Sequence, residues 1–393
     1  MKILFFGSLY PKERIQEILN KCSYVDVAGD VLQWNFLRGL GSFSDLQVFT
    51  VPSIKNYKNI LFKDSEFSHN NCSVDYCIGF WDVVGLKQFD SLIKLKRKFK
   101  DITLNDEHIV IYSLQSHLLL VAVFLKQKYP NIKISLIVAD LPQYMSDSRS
   151  IIYRILKGIN TKLVFKNLKY VDSYILLSEH MRRMLPIESR PFVVIEGIYN
   201  PENDSDIVTR EVENNKVLLY TGTLAKRYGV MNLVNAFLKL NNKSVILLIC
   251  GEGDAKEEII KASLEDHRIV YKGLLPHKEA LSLQRSATLL VNPRTPEGDY
   301  TKFSFPSKIM EYFASGTPTL MYKLPGIPEE YFNYCYTIET LGINALASKI
   351  DEILNLPSNT LQQKGLVARD FILTQKNPMF QCSKIVEMLK KNY

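Results

Sequence analysis

Residues 303–319, Phe-Ser-Phe-Pro-Ser-Lys-Ile-Met-Glu-Tyr-Phe-Ala-Ser-Gly-Thr-Pro-Thr, set one cation and one carboxylate between a helix start and a helix stop. Pro306 and Ser307 suit a first turn, where a missing N–H costs nothing and a hydroxyl can cap. Gly316 followed by Pro318 closes the helix. Lys308 and Glu311 are three apart and share a face near its N-terminal end. Unpaired helix N–H groups beside a lysine make an anion site, and phosphate is the usual guest. A carboxylate one turn deeper suits sugar hydroxyls rather than phosphate. Phosphate and ribose together are a nucleotide.

Three further loops carry chemistry of the same kind. Thr221-Gly222-Thr223-Leu-Ala-Lys226-Arg227-Tyr228-Gly229 brackets a basic pair with glycines, and Gly222 permits close backbone approach to a phosphate. Gly251-Glu252-Gly253-Asp254 is a tight turn into a helix, and Asn292-Pro293-Arg294 precedes the 303–319 segment. Each is ordinary turn punctuation when taken singly. Lys226 and Arg227 equally suit an exposed loop pair, and Asn292 and Arg294 equally suit a loop lock. Four in succession point to one ligand.

The elements that must position these loops form two alternating series. Strands are expected at 2–7, 46–51, 75–80, 108–113, 132–138, 172–177 and 191–195, with helices at 30–40, 86–99, 115–128 and 149–169. After a polar, acidic linker at 200–214, strands are expected at 216–221, 244–250, 268–272, 287–292 and 317–322. Helices follow at 230–240, 255–263, 277–285 and 306–315. Apolar runs of this length fit parallel strands buried on both faces, so the fold class is α/β with two tandem doubly wound sheets. Ligands are expected beyond the carboxyl ends of the strands, in a cleft where the sheets face each other. The 393 residues, 46% apolar and 23% charged, suffice for two full cores. The six scattered cysteines match no common zinc pattern and read as reduced thiols of a cytosolic protein. The apolar start is too short for a signal peptide, and no window of about 18 apolar residues marks a membrane span.

The motifs resemble the donor-binding half of family 4 glycosyltransferases. The matching pieces are Tyr220-Thr-Gly-Thr…Tyr228-Gly229, Cys250-Gly-Glu-Gly-Asp254, Val270-Tyr-Lys-Gly273 and Phe305-Pro-Ser-Lys-Ile-Met-Glu-Tyr-Phe-Ala-Ser-Gly-Thr-Pro318. Members that build bacterial capsules, O-antigens and exopolysaccharides also read like Gly29-Asp30-Val-Leu-Gln33-Trp34-Asn35 and Val138-Ala-Asp140-Leu-Pro142 upstream. The resemblance implies a GT-B fold of two Rossmann-like domains. An acceptor domain would cover 1–200 and a nucleotide-sugar domain 201–375, with a final helix in 376–393 crossing back to the first domain. It implies a retaining hexosyl transfer from a nucleotide-sugar to a glycan or polyprenyl-linked glycan acceptor.

Carried over by position, Glu311 binds the ribose, and Gly251, Glu252 and Gly253 line the donor. Gly222, Thr223, Lys226, Arg227, Asn292, Arg294, Ser307 and Lys308, read from the loops themselves, are the further donor candidates. His117, Asp140 and Lys308 are the catalytic candidates, and Gly7, Asp30, Gln33 and Asn35 the acceptor-side ones. His117 also suits a helix start, and Asp140 an Asx turn. Two departures stand out. Phe303 occupies the position of a second family glutamate, and Thr223 and Tyr228 occupy those of two diphosphate-gripping cations. Negative charge grows on the departing diphosphate, so Lys308 and Arg227 are expected to do what a metal does elsewhere. No Asp-x-Asp motif is present, and neither metal nor cofactor is expected. Front-side attack needs no enzyme nucleophile, unlike the carboxylate pair of glycosidases.

Charge is uneven. Residues 1–200 hold 26 Lys and Arg against 19 Asp and Glu, and 149–190 alone holds nine against three, which supplies most of the excess. An amphipathic helix packed on its sheet explains the apolar stripe of 149–169. Its basic residues add the option of an anionic membrane surface, each contributing ~1 kcal/mol. Nucleic acid is not expected, because no recognition motif accompanies the charge. The location expected is the cytoplasm or the inner membrane face. Two rival readings are a nucleotide-sugar 2-epimerase on the same fold and a non-catalytic binding subunit. The epimerase needs more acid/base groups than six dispersed histidines offer. The binding subunit draws its support from Phe303.

Overall fold

The computed structural model describes residues 1–58, 60–70, 72–83, 85–141, 151–204 and 216–391. Residues 205–214 of the linker expected at 200–214, Pro142 and Arg149 lie outside the described residues. The chain divides into two compact units, one of Met1–Ile198 with Pro378–Tyr393 and one of Tyr199–Asn377.

The first unit is built on an eight-stranded sheet: β1 (Lys2–Gly7), β2 (Asp45–Thr50), β3 (Ser65–Phe67), β4 (Asp75–Cys77), β5 (His108–Tyr112), β6 (Lys133–Val138), β7 (Ser173–Leu176) and β8 (Phe192–Val194). Its order is β8-β7-β6-β5-β1-β2-β4-β3, parallel except where β3 meets β4. The apolar run Ile3-Leu-Phe-Phe6 is fully enclosed, as a central parallel strand requires. Each such Phe or Leu contributes ~1.5–3 kcal/mol by burial. The strand order reverses between β1 and β5, which places the loops after these two strands side by side.

The strand expected at 75–80 is broken. β4 ends at Cys77, and Phe80–Trp81 pairs antiparallel with Leu61–Phe62 instead. The break lies at Gly79, whose N–H donates to Asp64 at 2.8 Å and where a Cβ would lie 2.4 Å from the Phe62 carbonyl oxygen. The Pro378–Lys390 helix belongs to this unit and packs on the Val27–Gly41 helix. The contact is so close that a Cβ at Gly39 would lie 2.3 Å from the Pro378 carbonyl oxygen.

The second unit carries six parallel strands: β9 (Lys216–Thr221), β10 (Val245–Cys250), β11 (Ile269–Gly273), β12 (Leu289–Asn292), β13 (Thr319–Tyr322) and β14 (Tyr336–Ile338). Their order is β11-β10-β9-β12-β13-β14, again doubly wound, with the reversal between β9 and β12. The three-residue β14 and the helices Ile343–Leu354 and Ser358–Gln375 extend the five strands and four helices expected from the sequence.

The helix expected at 306–315 runs from Lys308 to Ala314. Ser307 sits at its N-cap with φ −52° and ψ −32° and makes no side-chain cap, contrary to expectation. A capping residue ordinarily adopts an extended backbone, which aims its hydroxyl at the first N–H groups. The stop is as expected. Gly316 takes φ +79° and returns its N–H to Phe313 at 3.1 Å. The Ser358–Gln375 helix closes on this turn, with a Cβ at Gly365 falling 1.9 Å from the Gly316 carbonyl oxygen.

Candidate functional site

In the second unit the loops after β9 and β12 meet at the point where strand order reverses. The end of β9 is pinned from below. The Tyr312 hydroxyl accepts from Thr221 N at 2.9 Å and lies 3.1 Å from its carbonyl, while Gln284 donates to the Thr221 hydroxyl at 3.0 Å. The loop then turns at Gly222, with φ +130°. It runs past exposed Thr223, whose carbonyl accepts from the Tyr220 hydroxyl at 2.7 Å. At its far end Gly229 takes φ +76°, and a Cβ there would lie 2.3 Å from the Pro293 carbonyl oxygen. This contact seats the Lys226–Gly229 turn directly on the β12 loop.

Lys308 projects into this corner. Its Nζ lies 3.9 Å from the Tyr220 ring centroid and would be 3.1 Å from a Cβ at Gly222. Burial, then the charge of Arg294, pushes its pKa down to about 7, with Glu311 acting the other way. No carboxylate reaches it as an ion-pair partner among the described residues. Arg294 is 7% exposed and donates through Nη2 to Ser304 Oγ at 3.0 Å, while its Nε is buried without a partner. Burial lowers its pKa as well. Asn292, the last residue of β12, is buried with Nδ2 unpaired. A cation lacking a carboxylate and two unmet buried donors therefore lie at one strand-end corner. Buried donors left unmet cost ~1–3 kcal/mol each, which a bound acceptor group removes.

The other expected donor residues are placed less directly. The Lys226 ammonium pairs with Glu258 on the surface, and the Lys226 backbone N–H donates to Asp254 at 2.8 Å. Arg227 is exposed and stacks on Tyr228 and Tyr300 at 5.1 and 5.8 Å. At Tyr228, where the resemblance implies a cation, the ring instead carries the Arg294 guanidinium at 5.0 Å. Gly251 and Gly253 sit against the β9 loop, where added Cβ atoms would fall 1.9 Å from the Gly222 oxygen and 2.4 Å from the Leu224 oxygen. Glu252 meets Lys256 and the Tyr271 hydroxyl at 3.1 and 3.2 Å. Ser307 is exposed, and Glu311 is partly buried in the first turn beside Lys308. Phe303 follows the short turn Asp299–Lys302. Sequence reasoning missed Tyr220, Tyr300 and Ser304 as supports. Their only signal was the nearness of aromatic and hydroxyl residues to the glycine loops.

In the first unit, Gly7 ends β1, and the next N–H, that of Ser8, donates to Gln33 at 2.7 Å. Gln33 donates to the Gly29 carbonyl at 3.0 Å, and Asn35 to the Ile198 carbonyl at 2.8 Å. These two buried amides hold backbone in place. Asp30 accepts from Tyr10 N at 2.7 Å, and burial raises its carboxyl to about 6. Asp140 follows β6 and is exposed. Lost hydration, then Asp26, raises it to about 6. His117 begins the Ser116–Lys128 helix after a turn in which Ser113 is held at φ +66°. Its Nε2 is buried without a partner, and burial lowers its pKa to about 3, so the ring is neutral at physiological pH.

Residues 202–365 match the family described as "Glycosyl transferases group 1". Among solved structures, the chain is similar to the sucrose-phosphate synthase of Thermosynechococcus elongatus, with TM-score 0.66, 16% identity and 100% of both chains covered. It is also similar to HepE of Anabaena in complex with UDP, with TM-score 0.63, 13% identity and 100% of both chains covered. The same Anabaena protein is solved with UDP-glucose. The lipopolysaccharide outer core galactosyltransferase WaaB in its apo form gives TM-score 0.63 at 14% identity, again over 100% of both chains. No curated protein matches the chain. The fold is GT-B, with two Rossmann-like domains.

Proposed function

We propose that this chain is a glycosyltransferase that moves a hexosyl-type sugar with retention from a nucleotide-sugar to a lipid-linked glycan of a bacterial surface polysaccharide, a reading supported by the family match over 202–365. The observation that carries the donor side is the corner of Lys308, Arg294 and Asn292, where positive charge and buried donors stand unmet. In the reaction the bond from the sugar C1 to the diphosphate oxygen breaks, and its electron pair leaves with the diphosphate. The acceptor oxygen attacks C1 on the same face and gives its proton to the departing oxygen. Lys308 and Arg294 stabilise the charge growing on the leaving group, which is the role a divalent cation plays elsewhere. Glu311 holds the ribose hydroxyls. The binding of UDP and UDP-glucose by the Anabaena protein supports a nucleotide-sugar as donor.

The test is a panel of sugar nucleotides screened by thermal shift, followed by product analysis. One member at 100 times its Kd should stabilise the protein by about 2.7 kcal/mol. Transfer should then preserve the anomeric configuration, as read by NMR. If no sugar nucleotide binds, the donor reading fails. Epimerised donor in the absence of acceptor would establish the 2-epimerase instead.

Among the described residues no helix is long and apolar enough to cross a membrane. Arg154, Lys162, Lys166, Lys169, Arg182 and Arg183 are exposed, which supports peripheral attachment through 149–190. The chain should sediment with phosphatidylserine vesicles and not with phosphatidylcholine vesicles, and added salt should release it. Equal sedimentation with both would remove this part of the reading.

A further inference from the structure

Among the described residues, three cations of the donor corner lie against tyrosine rings. The Arg294 guanidinium lies over two rings, 5.0 Å from the Tyr228 centroid and 4.7 Å from the Tyr300 centroid. Exposed Arg227 lies near the same two rings, and Lys308 sits over Tyr220. The Tyr300 ring is itself fixed. Its hydroxyl donates to the Arg227 carbonyl at 3.1 Å, and its own carbonyl accepts from Ser304 Oγ at 2.9 Å. Ser304 Oγ in turn accepts from Arg294. Beneath it Gly298, at φ +87°, leaves room that a Cβ would close to 2.7 Å from the Tyr300 ring. Thr301, fully buried, ties this turn to the Gly298 carbonyl at 2.7 Å.

An arginine can be fixed by a carboxylate or by aromatic faces, and the two choices have opposite consequences. A carboxylate cancels the charge. A ring quadrupole orients the guanidinium plane and leaves its charge and edge donors available. Arg294 has the second arrangement, and its buried Nε remains unpaired. We infer that Tyr228 and Tyr300 form an aromatic clamp that positions Arg294, charge intact, as the diphosphate-binding cation of this chain. Tyr228 is a positioning residue from the β9 loop and Tyr300 one from the β12 loop, so the clamp also joins the two. The inference rests on the donor reading above.

Its test uses inorganic pyrophosphate, a probe that needs no knowledge of base or sugar, with calorimetric titration of the full chain. Arg294→Met and Tyr228→Leu should each weaken pyrophosphate binding about tenfold, and Tyr228→Phe should restore it. The double variant Arg294→Met/Tyr228→Leu should bind no more weakly than Arg294→Met alone, because the tyrosine acts through the arginine. Melting temperatures of the variants separate folding loss from binding loss. Additive losses, or full binding by Tyr228→Leu, would overturn the clamp. Clamp-dependent pyrophosphate binding without any nucleotide binding would keep the clamp and remove the donor reading. Nucleoside diphosphate binding indifferent to Tyr228, Tyr300 and Arg294 would keep the donor reading and remove the clamp. A chain that binds neither probe overturns both.

Discussion

Replacing Lys308 with methionine should lower kcat/KM by about 10²–10³-fold, the usual cost of removing a donor aimed at transition-state charge. The same change should raise the melting temperature of the ligand-free protein. The two effects have one cause. Burial of the Lys308 ammonium, then the charge of Arg294, lowers its pKa to about 7. In the unfolded chain it keeps its proton to the ordinary 10.5. Between these values the unfolded state binds more protons, so this group makes stability rise with pH from about 7 to 10.5. Below 7 the full destabilisation of the enclosed charge is present, and methionine removes it.

Donor binding should run the opposite way. The diphosphate favours the charged amine, so affinity should fall as pH rises above 7 in the native chain. It should be nearly flat in Lys308→Arg, whose guanidinium stays charged. Stability curves by urea unfolding at pH 7 and 9, with KM measured across the same range, check both signs. Unchanged KM and kcat in Lys308→Met would remove this lysine from the site.

Gly251→Ala should destabilise the second unit by about 3 kcal/mol or more and abolish donor binding with it. Gly251 has φ +140°, and its absent Cβ would fall 1.9 Å from the Gly222 oxygen, a distance no rotamer change can relieve. The clash acts on stitched backbone. Gly222 N donates to Cys250 O at 3.0 Å, Gly251 N to Gly273 O at 2.8 Å, and Leu224 N to Glu252 O at 2.8 Å. Displacing Gly222 also displaces the wall against which Lys308 lies. Gly273→Ala is the control. Gly273 has φ +71° but nothing within 4 Å of its Cβ position, so only the left-handed strain of ~1–2 kcal/mol is expected. Equal losses in the two variants would mean that close approach at Gly251 contributes nothing.

Much of the fold was legible because strands buried on both faces are written as short apolar runs. β1 and β9 start and stop where Ile3-Leu-Phe-Phe6 and Val217-Leu-Leu-Tyr220 indicate. Legibility failed where a contact overrides a run. Cys77-Ile-Gly-Phe-Trp81 reads as continuous strand, yet Asp64 and the Phe62 backbone split it at Gly79. It failed again at β14, whose three residues are too few to show a period.

The sequence by itself determined the Lys308–Glu311 pair, the glycine stop at Gly316 and the glycine turns after β9 and β10. Those features depend on spacing along one chain segment, and chain geometry fixes such spacing. Only the tertiary structure decided which cations act together. Lys226 and Arg227 were the expected loop cations for the diphosphate, but Glu258 engages Lys226, while Arg294 lies over two tyrosine rings with Nε unpaired. A side chain's charge is expressed or cancelled by what lies across from it. At this corner those neighbours come from loops some 70 residues apart, as the Tyr300 hydroxyl on the Arg227 carbonyl shows.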